Sequence, residues 1–190
     1  MNERGYLFLL IGVGMLASST LLGAPSDVAG FGWIPLFMGI RSMQTSQREV
    51  QNALYFAIFG LVISWSLWLG LELVPTFFMQ FSLVQPLVVL QLFFNIGTFF
   101  WLLKAEYMWA PNKQKRLEWL GFSVIGAGHF LLLAVTVFAG TDLFSLPIGL
   151  LIPIFMLMRP LSLAYYGFLV FIFAKLYLES RGGSGLQRWK

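Results

Sequence analysis

The sequence predicts an all-α integral membrane protein, a six-transmembrane-helix bundle with apolar interfacial or re-entrant segments on its outer side. Three observations predict it. Of the 190 residues, 58% are hydrophobic and only 11% are charged, whereas a soluble domain carries roughly 25% charged residues because it must face water. Apolar stretches of crossing length recur along the chain, separated by short polar or proline-bearing segments. Threading those stretches back and forth gathers all the basic residues but one on a single side. Mean hydropathy is +0.80. The length leaves room for one transmembrane domain, residues 1–180, and a flexible cytoplasmic tail, 181–190.

The first span covers Gly5 to Gly23. Leu22, Gly23 and Ala24 resemble a signal-peptide cleavage site, but Pro25 directly after the cut is unfavourable there, so the helix is expected to stay. Residues 24–27 turn the chain, with Ser26 or Asp27 placed to cap the second span. That span, Val28 to about Met43, is short, is interrupted by Pro35, and ends at Arg41, which can snorkel to the headgroups. Residues 45–52 are polar and lie outside lipid, and Ala53 to Val74 is a full-length third span. Pro75 to Pro86 holds Phe77, Phe78, Met79 and Phe81 but is too short to cross, which suits an interfacial or re-entrant segment. Leu87 to Leu103 is the fourth span. Lys104 to Glu118 is the longest polar connection, with Tyr107 and Trp109 as interface anchors. Trp119 to Ala139 is the fifth span, and residues 140–142 turn into the last apolar region.

That last region, Leu143 to Leu178, would be about 54 Å long as one helix, against a hydrocarbon core of roughly 30 Å. A tilt of about 40° absorbs only some 26 residues. Pro147, Pro153 and Pro160 mark places where a helix can break. Leu161 to Leu178 then forms the sixth span, and the part before it lies along the outer face or dips into it. Arg159 comes to the outer interface, where it costs much less than the roughly 2.5–3.5 kcal/mol of a central position.

Alternating spans put Arg4, Arg41, Arg48, Lys104, Lys113, Lys115, Arg116, Lys175, Arg181, Arg188 and Lys190 on one side. The segments on the other side carry Asp27, Glu72 and Asp142, and Arg159 alone of the twelve basic residues remains outside the basic set. The positive-inside rule makes the basic side cytoplasmic, so both termini are cytoplasmic in a multi-pass protein of the inner (plasma) membrane. Omitting the short second span would scatter the basic segments to both sides. The charge pattern therefore argues for that helix where hydropathy alone is weak.

Polar residues within the spans fall into sets. Gln91, Asn95 and Thr98 share one helix face. His129 and Thr136 share another, and Ser18, Ser19, Thr20, Ser64 and Ser66 add hydroxyls in the first and third spans. Most lie at mid-depth or in the outer half, which reads as an outer polar cavity; the plainer reading is hydrogen bonding between helices, about 0.6 kcal/mol per contact. Arg159, Ser162 and Tyr166 share a face and could pair with Glu72 or Asp142, or hold an anionic group at a cavity mouth. The plainer reading of Arg159 is snorkelling to lipid phosphate. Small residues four apart recur at Gly14 and Ser18, Ser19 and Gly23, Ala53 and Ala57, Gly60 and Ser64, and Ser123 and Ala127, and suit close helix packing within the chain or against a copy.

Several chemistries are excluded. There is no cysteine, hence no disulfide, thiolate catalysis or cysteine-held cluster. The single histidine, His129, allows no bis-histidine haem and no zinc spacing. Ser123 cannot be activated by His129, because six residues along one helix separate them by about 9 Å and about 240°. Asp27 and Asp142 are turn residues and cannot form an intramembrane aspartate pair. The cations occupy short connections and make no nucleic-acid-binding stripe.

The leading expectation is a non-enzymatic membrane protein without cofactor or metal that binds or transports a small solute or lipid through the outer polar cavity. Its pathway residues would be Gln91, Asn95, Thr98, His129, Thr136, Arg159, Ser162, Tyr166 and Glu72. The rival is a structural or assembly subunit of a larger membrane complex. An intramembrane enzyme using His129 with Glu72 or Arg159 is a third reading. The expected partners are membrane lipids, further copies of the chain or other membrane subunits.

Overall fold

The computed structural model describes residues 3–22, 26–43, 47–76, 84–138 and 148–186. Among them the chain is all-helical, with α1 Glu3–Leu22, α2 Ser26–Arg41, α3 Arg48–Leu73, α4 Val84–Trp109, α5 Lys113–Phe138 and α6 Ile148–Leu186. Four of these, α3, α4, α5 and the Met156–Arg181 part of α6, are long and apolar enough to cross a bilayer. That makes this a membrane protein. The expected segment at 77–83, the turn at 140–142 with Asp142, Pro147, residues 187–190, and the side chains of Ser19, Thr20, Ser26 and Asp27 lie outside the described residues.

Each helix packs against the one before and the one after it, and α6 returns to α1, so the neighbours form a closed cycle. Every sequential pair runs antiparallel. As α3 rises from Glu49 through Phe59 to Ser64, its partners in α4 fall from Lys104 through Phe94 to Gln91. Glu106, Phe100 and Phe93 likewise meet Lys115, Trp119 and Phe130 of α5, and Glu118 and His129 meet Lys175 and Ser162 of α6. This alternation collects Arg4, Arg41, Arg48, Lys104, Lys115 and Lys175 at one end of the bundle.

Inward faces follow helical spacing: Leu9, Val13 and Leu16 in α1; Trp33, Leu36 and Ile40 in α2; Ala53, Ala57 and Leu67 in α3; Phe99 and Leu102 in α4; Leu169, Ile172 and Phe173 in α6. The outward faces are apolar as well, with Val124 72% and Phe171 64% exposed. A bundle apolar on both faces requires an apolar solvent.

Close approach of helices depends on missing side chains. A Cβ on Gly60 would fall within the ring of Trp33 from α2, and one on Gly97 within the ring of Phe56 from α3. Of the small-residue pairs, Ala53, Ala57, Gly60 and Ser64 are buried in these contacts. Gly14 has nothing near its missing Cβ, and Ala127 is exposed, so those two pairs do no packing within the chain.

Three expectations about element ends are corrected. The polar connection expected over Lys104 to Glu118 shrinks to residues 110–112, because α4 continues to Trp109 and α5 starts at Lys113. The inward face of α4 simply continues through Ala105 and Glu106, and Asn112 caps α5 by accepting the Lys115 N–H at 2.7 Å. Helix α3 begins at Arg48, inside the segment expected to be a polar connection, and ends at Leu73, with Val74, the residue before Pro75, as its C-cap. Finally, α6 does not break: Pro153 and Pro160 both sit inside one helix. Each proline removes one backbone donor, whereas a break in an apolar medium would leave several groups unpaired at several kcal/mol each. The helix also runs through Leu186, into the segment expected to be a flexible tail.

Candidate functional site

The cycle of helices encloses three layers. At the charged end Glu106, 5% exposed, accepts the Tyr6 hydroxyl at 2.5 Å and pairs with Lys115 at 3.1 Å. Lys175 pairs with Glu118 at 2.5 Å alongside, and Lys104 lies 3.9 Å from Glu49. These contacts tie α1, α3, α4, α5 and α6 together. Above them, Phe99 packs on Phe122 and Phe173, and Phe122 on Tyr165. This aromatic layer fills the middle of the bundle.

Beyond the aromatic layer, at the end remote from the ion pairs, lies a partly open cavity of about 280 Å³ between α1, α3, α4, α5 and α6. Its polar lining comes from four helices: Ser64 from α3, Gln91 and Asn95 from α4, His129 from α5, and Ser162 and Tyr166 from α6. Most of these residues are engaged across helix boundaries. Gln91 donates its amide N–H to Ser64 at 2.8 Å, and the Tyr165 hydroxyl donates to the Asn95 carbonyl oxygen at 2.6 Å. His129 Nε2 and the Ser162 hydroxyl lie 3.0 Å apart. His129 Nδ1 is buried without a partner. Tyr166 packs edge-on against Tyr165. None of the described lining residues is charged.

Of the residues singled out by sequence, Gln91, Asn95, His129, Ser162 and Tyr166 therefore meet at one cavity. Four do not. Thr98 and Thr136 return their hydroxyls to their own helices, at Phe94 O and Leu132 O, 2.7 Å each. Glu72 is exposed beyond the cavity wall. Arg159 is exposed too, because Met158, one turn from Ser162 toward the mouth on the same face, lines the wall in its place. Among the described residues neither Glu72 nor Arg159 has an ion pair.

Sequence reading did not single out Tyr165 or Glu106. A signal existed for Glu106, since it continues the face of Gln91, Asn95, Thr98 and Leu102 at helical spacing. For Tyr165 there was only its position next to Tyr166, on a helix whose facing partner the sequence does not name.

A serine hydroxyl beside a histidine is the start of a nucleophile and base. Here no third group among the described residues orients the imidazole, since none of them partners Nδ1. Ser162 also sits within a regular helix, where backbone N–H groups are committed and form no oxyanion hole. The arrangement suits hydrogen bonding to a bound molecule better than acyl transfer. Comparison with protein-family models, curated proteins and solved structures finds no match for this chain.

Proposed function

We propose that this chain is a six-span protein of the inner (plasma) membrane, with both termini in the cytoplasm, that binds a small solute or lipid in its outer cavity and can pass it across. The observation that carries the reading is the cavity itself, in which five helices converge and four supply polar side chains. The polar side chains border an open space of about 280 Å³ as well as one another, which supports binding over hydrogen bonding between helices alone. Counting α1 and α2 as spans rests on their antiparallel place in the cycle, with Arg4 and Arg41 at the same end as the other cations. At 20 residues α1 matches the hydrocarbon thickness. With 16 residues α2 is shorter, a mismatch that a terminal arginine relieves by snorkelling.

On this topology Arg159 lies about 24 Å along α6 from the cytoplasmic Lys175, which leaves its guanidinium within reach of the outer headgroups. Lipid phosphate is then its partner, not a cavity ligand.

The test is whether purified protein retains a molecule, read by native mass spectrometry, in wild type and in Gln91→Leu, Asn95→Leu and His129→Leu. We expect a retained species in wild type, reduced at least ten-fold in each variant at normal yield. Unchanged retention would return these residues to packing. Labelling of Ser162 by a fluorophosphonate is not expected; its occurrence would turn the reading to an intramembrane hydrolase.

A second reading, subunit of a larger membrane complex, is favoured by one observation. Helix α6 has 39 residues, and Ile152, Met156 and Leu157 near its start are more than half exposed. Reproducible co-purification of other membrane proteins in mild detergent, with an empty cavity, would favour it.

A further inference from the structure

We propose that the ligand of this cavity is an uncharged amphiphile, a hydrocarbon body bearing a hydroxyl, carbonyl or ether oxygen, bound with the oxygen on the Asn95–His129 layer and the apolar body toward the mouth. This rests on the reading of the cavity as a binding site. Its first support is charge. The described wall carries no Asp, Glu, Lys or Arg, and Glu72 and Arg159, the described charged residues nearest in sequence to the upper wall, are exposed and do not line it. An ion placed there would lose its hydration with no countercharge among the described residues, at a cost of several kcal/mol.

The second support is the order of the lining along each helix. On α3 the polar Ser64 lies deep and Leu71 two turns nearer the mouth. On α4 the sequence from the mouth is Val84, Val88, then Gln91 and Asn95; on α5 it is Leu133, then His129; on α6 it is Met158, then Ser162 and Tyr166. Four helices thus repeat one pattern, an apolar collar roughly 6–10 Å tall over a floor where the polar groups are interleaved with Leu16, Leu67 and Leu92. A wholly polar solute would lose its hydration in the collar. A pure hydrocarbon would leave the floor unsatisfied.

The third support is the hydrogen-bonding valence left at the floor. Tyr165 takes one lone pair of the Asn95 carbonyl oxygen, and the amide nitrogen is the donor that Asn95 has to offer. His129 spends Nε2 on Ser162 and holds Nδ1 buried without a partner, in a side chain only 3% exposed. An oxygen that accepts from the amide meets the first need. A hydroxyl, which also donates, suits the neighbouring His129–Ser162 pair as well, since its oxygen can accept and its proton can be given.

The experiment uses the full chain in phosphatidylcholine nanodiscs and three diazirine-bearing probes of one chain length: decanol, decanesulfonate and decyltrimethylammonium. After irradiation, labelled peptides are quantified with and without excess unlabelled probe. We expect saturable labelling of collar peptides by the decanol probe, at least ten-fold above either ion. Leu133→Trp, which fills the collar with a larger apolar side chain, should abolish it. Equal labelling by a charged probe, itself lost in Leu133→Trp, would overturn the ligand class and leave the cavity reading standing. No saturable labelling by any probe would overturn the inference. Absence of any retained molecule from wild type in native mass spectrometry would remove the cavity reading with it.

Discussion

Glu106 is the most consequential single residue outside the cavity. A carboxylate that is 5% exposed is costly to bury unless its lone pairs are met, and Tyr6 and Lys115 meet them from two other helices. Tyr6→Phe removes one charge-assisted hydrogen bond and should cost about 1.5–3 kcal/mol. Glu106→Leu strands both partners and should cost about 3–5 kcal/mol. Thermal unfolding followed by tryptophan fluorescence in detergent checks the order: wild type highest, Tyr6→Phe intermediate, Glu106→Leu lowest. Equal midpoints for all three would show that the cluster contributes nothing to stability. At this scale the sequence was half legible. The stripe Gln91, Asn95, Thr98 could be read from spacing, but which member faces a cavity is decided by facing helices. Thr98 and Thr136 lost their expected place because a hydroxyl in a helix has a carbonyl of its own within reach.

The same glycine means different things on different helices. Gly60 is the floor on which Trp33 of α2 rests, whereas Gly14 borders open space. Gly60→Ala should therefore overpack the α2–α3 contact and destabilise by about 1–3 kcal/mol, while Gly14→Ala should leave the unfolding midpoint unchanged or slightly raised, as alanine favours helix. If both behave alike, the packing against Trp33 is not as tight as the geometry demands. Existence and order of the helices were legible, because hydrophobic runs and turn residues mark them. Their ends were not. Reading a span to stop at the first charge fixes where lipid stops, yet Lys104 and Arg48 remain helical because an inward face continues past them. Prolines misled in the same way: Pro153 and Pro160 were read as breaks, although in lipid a break costs more unpaired backbone than the prolines remove.

For the whole molecule, the closed antiparallel cycle places the cavity and the ion pairs at opposite ends of the bundle. The cavity is separated from the charged end by the Phe99, Phe122 and Phe173 layer and by the Tyr6–Glu106–Lys115 cluster. Passage through the bundle therefore requires that both give way, whereas simple binding requires neither. Because the chain contains no cysteine, single cysteines report accessibility without background. On the six-span topology Leu71→Cys should react with a membrane-impermeant maleimide only from outside, and Lys113→Cys only from the cytoplasm. Reaction of both from one face would disprove the alternation. Phe122→Cys, in the fully buried aromatic layer, should react from neither face. Adding Tyr6→Phe and Glu106→Gln removes the charge-assisted bond and the carboxylate's charge while keeping its shape. If the cluster is an inner gate, the Phe122→Cys thiol should then react from the cytoplasm at least ten-fold faster. If it stays unreactive while the protein remains folded, the cluster is structural, and the protein holds its ligand without passing it.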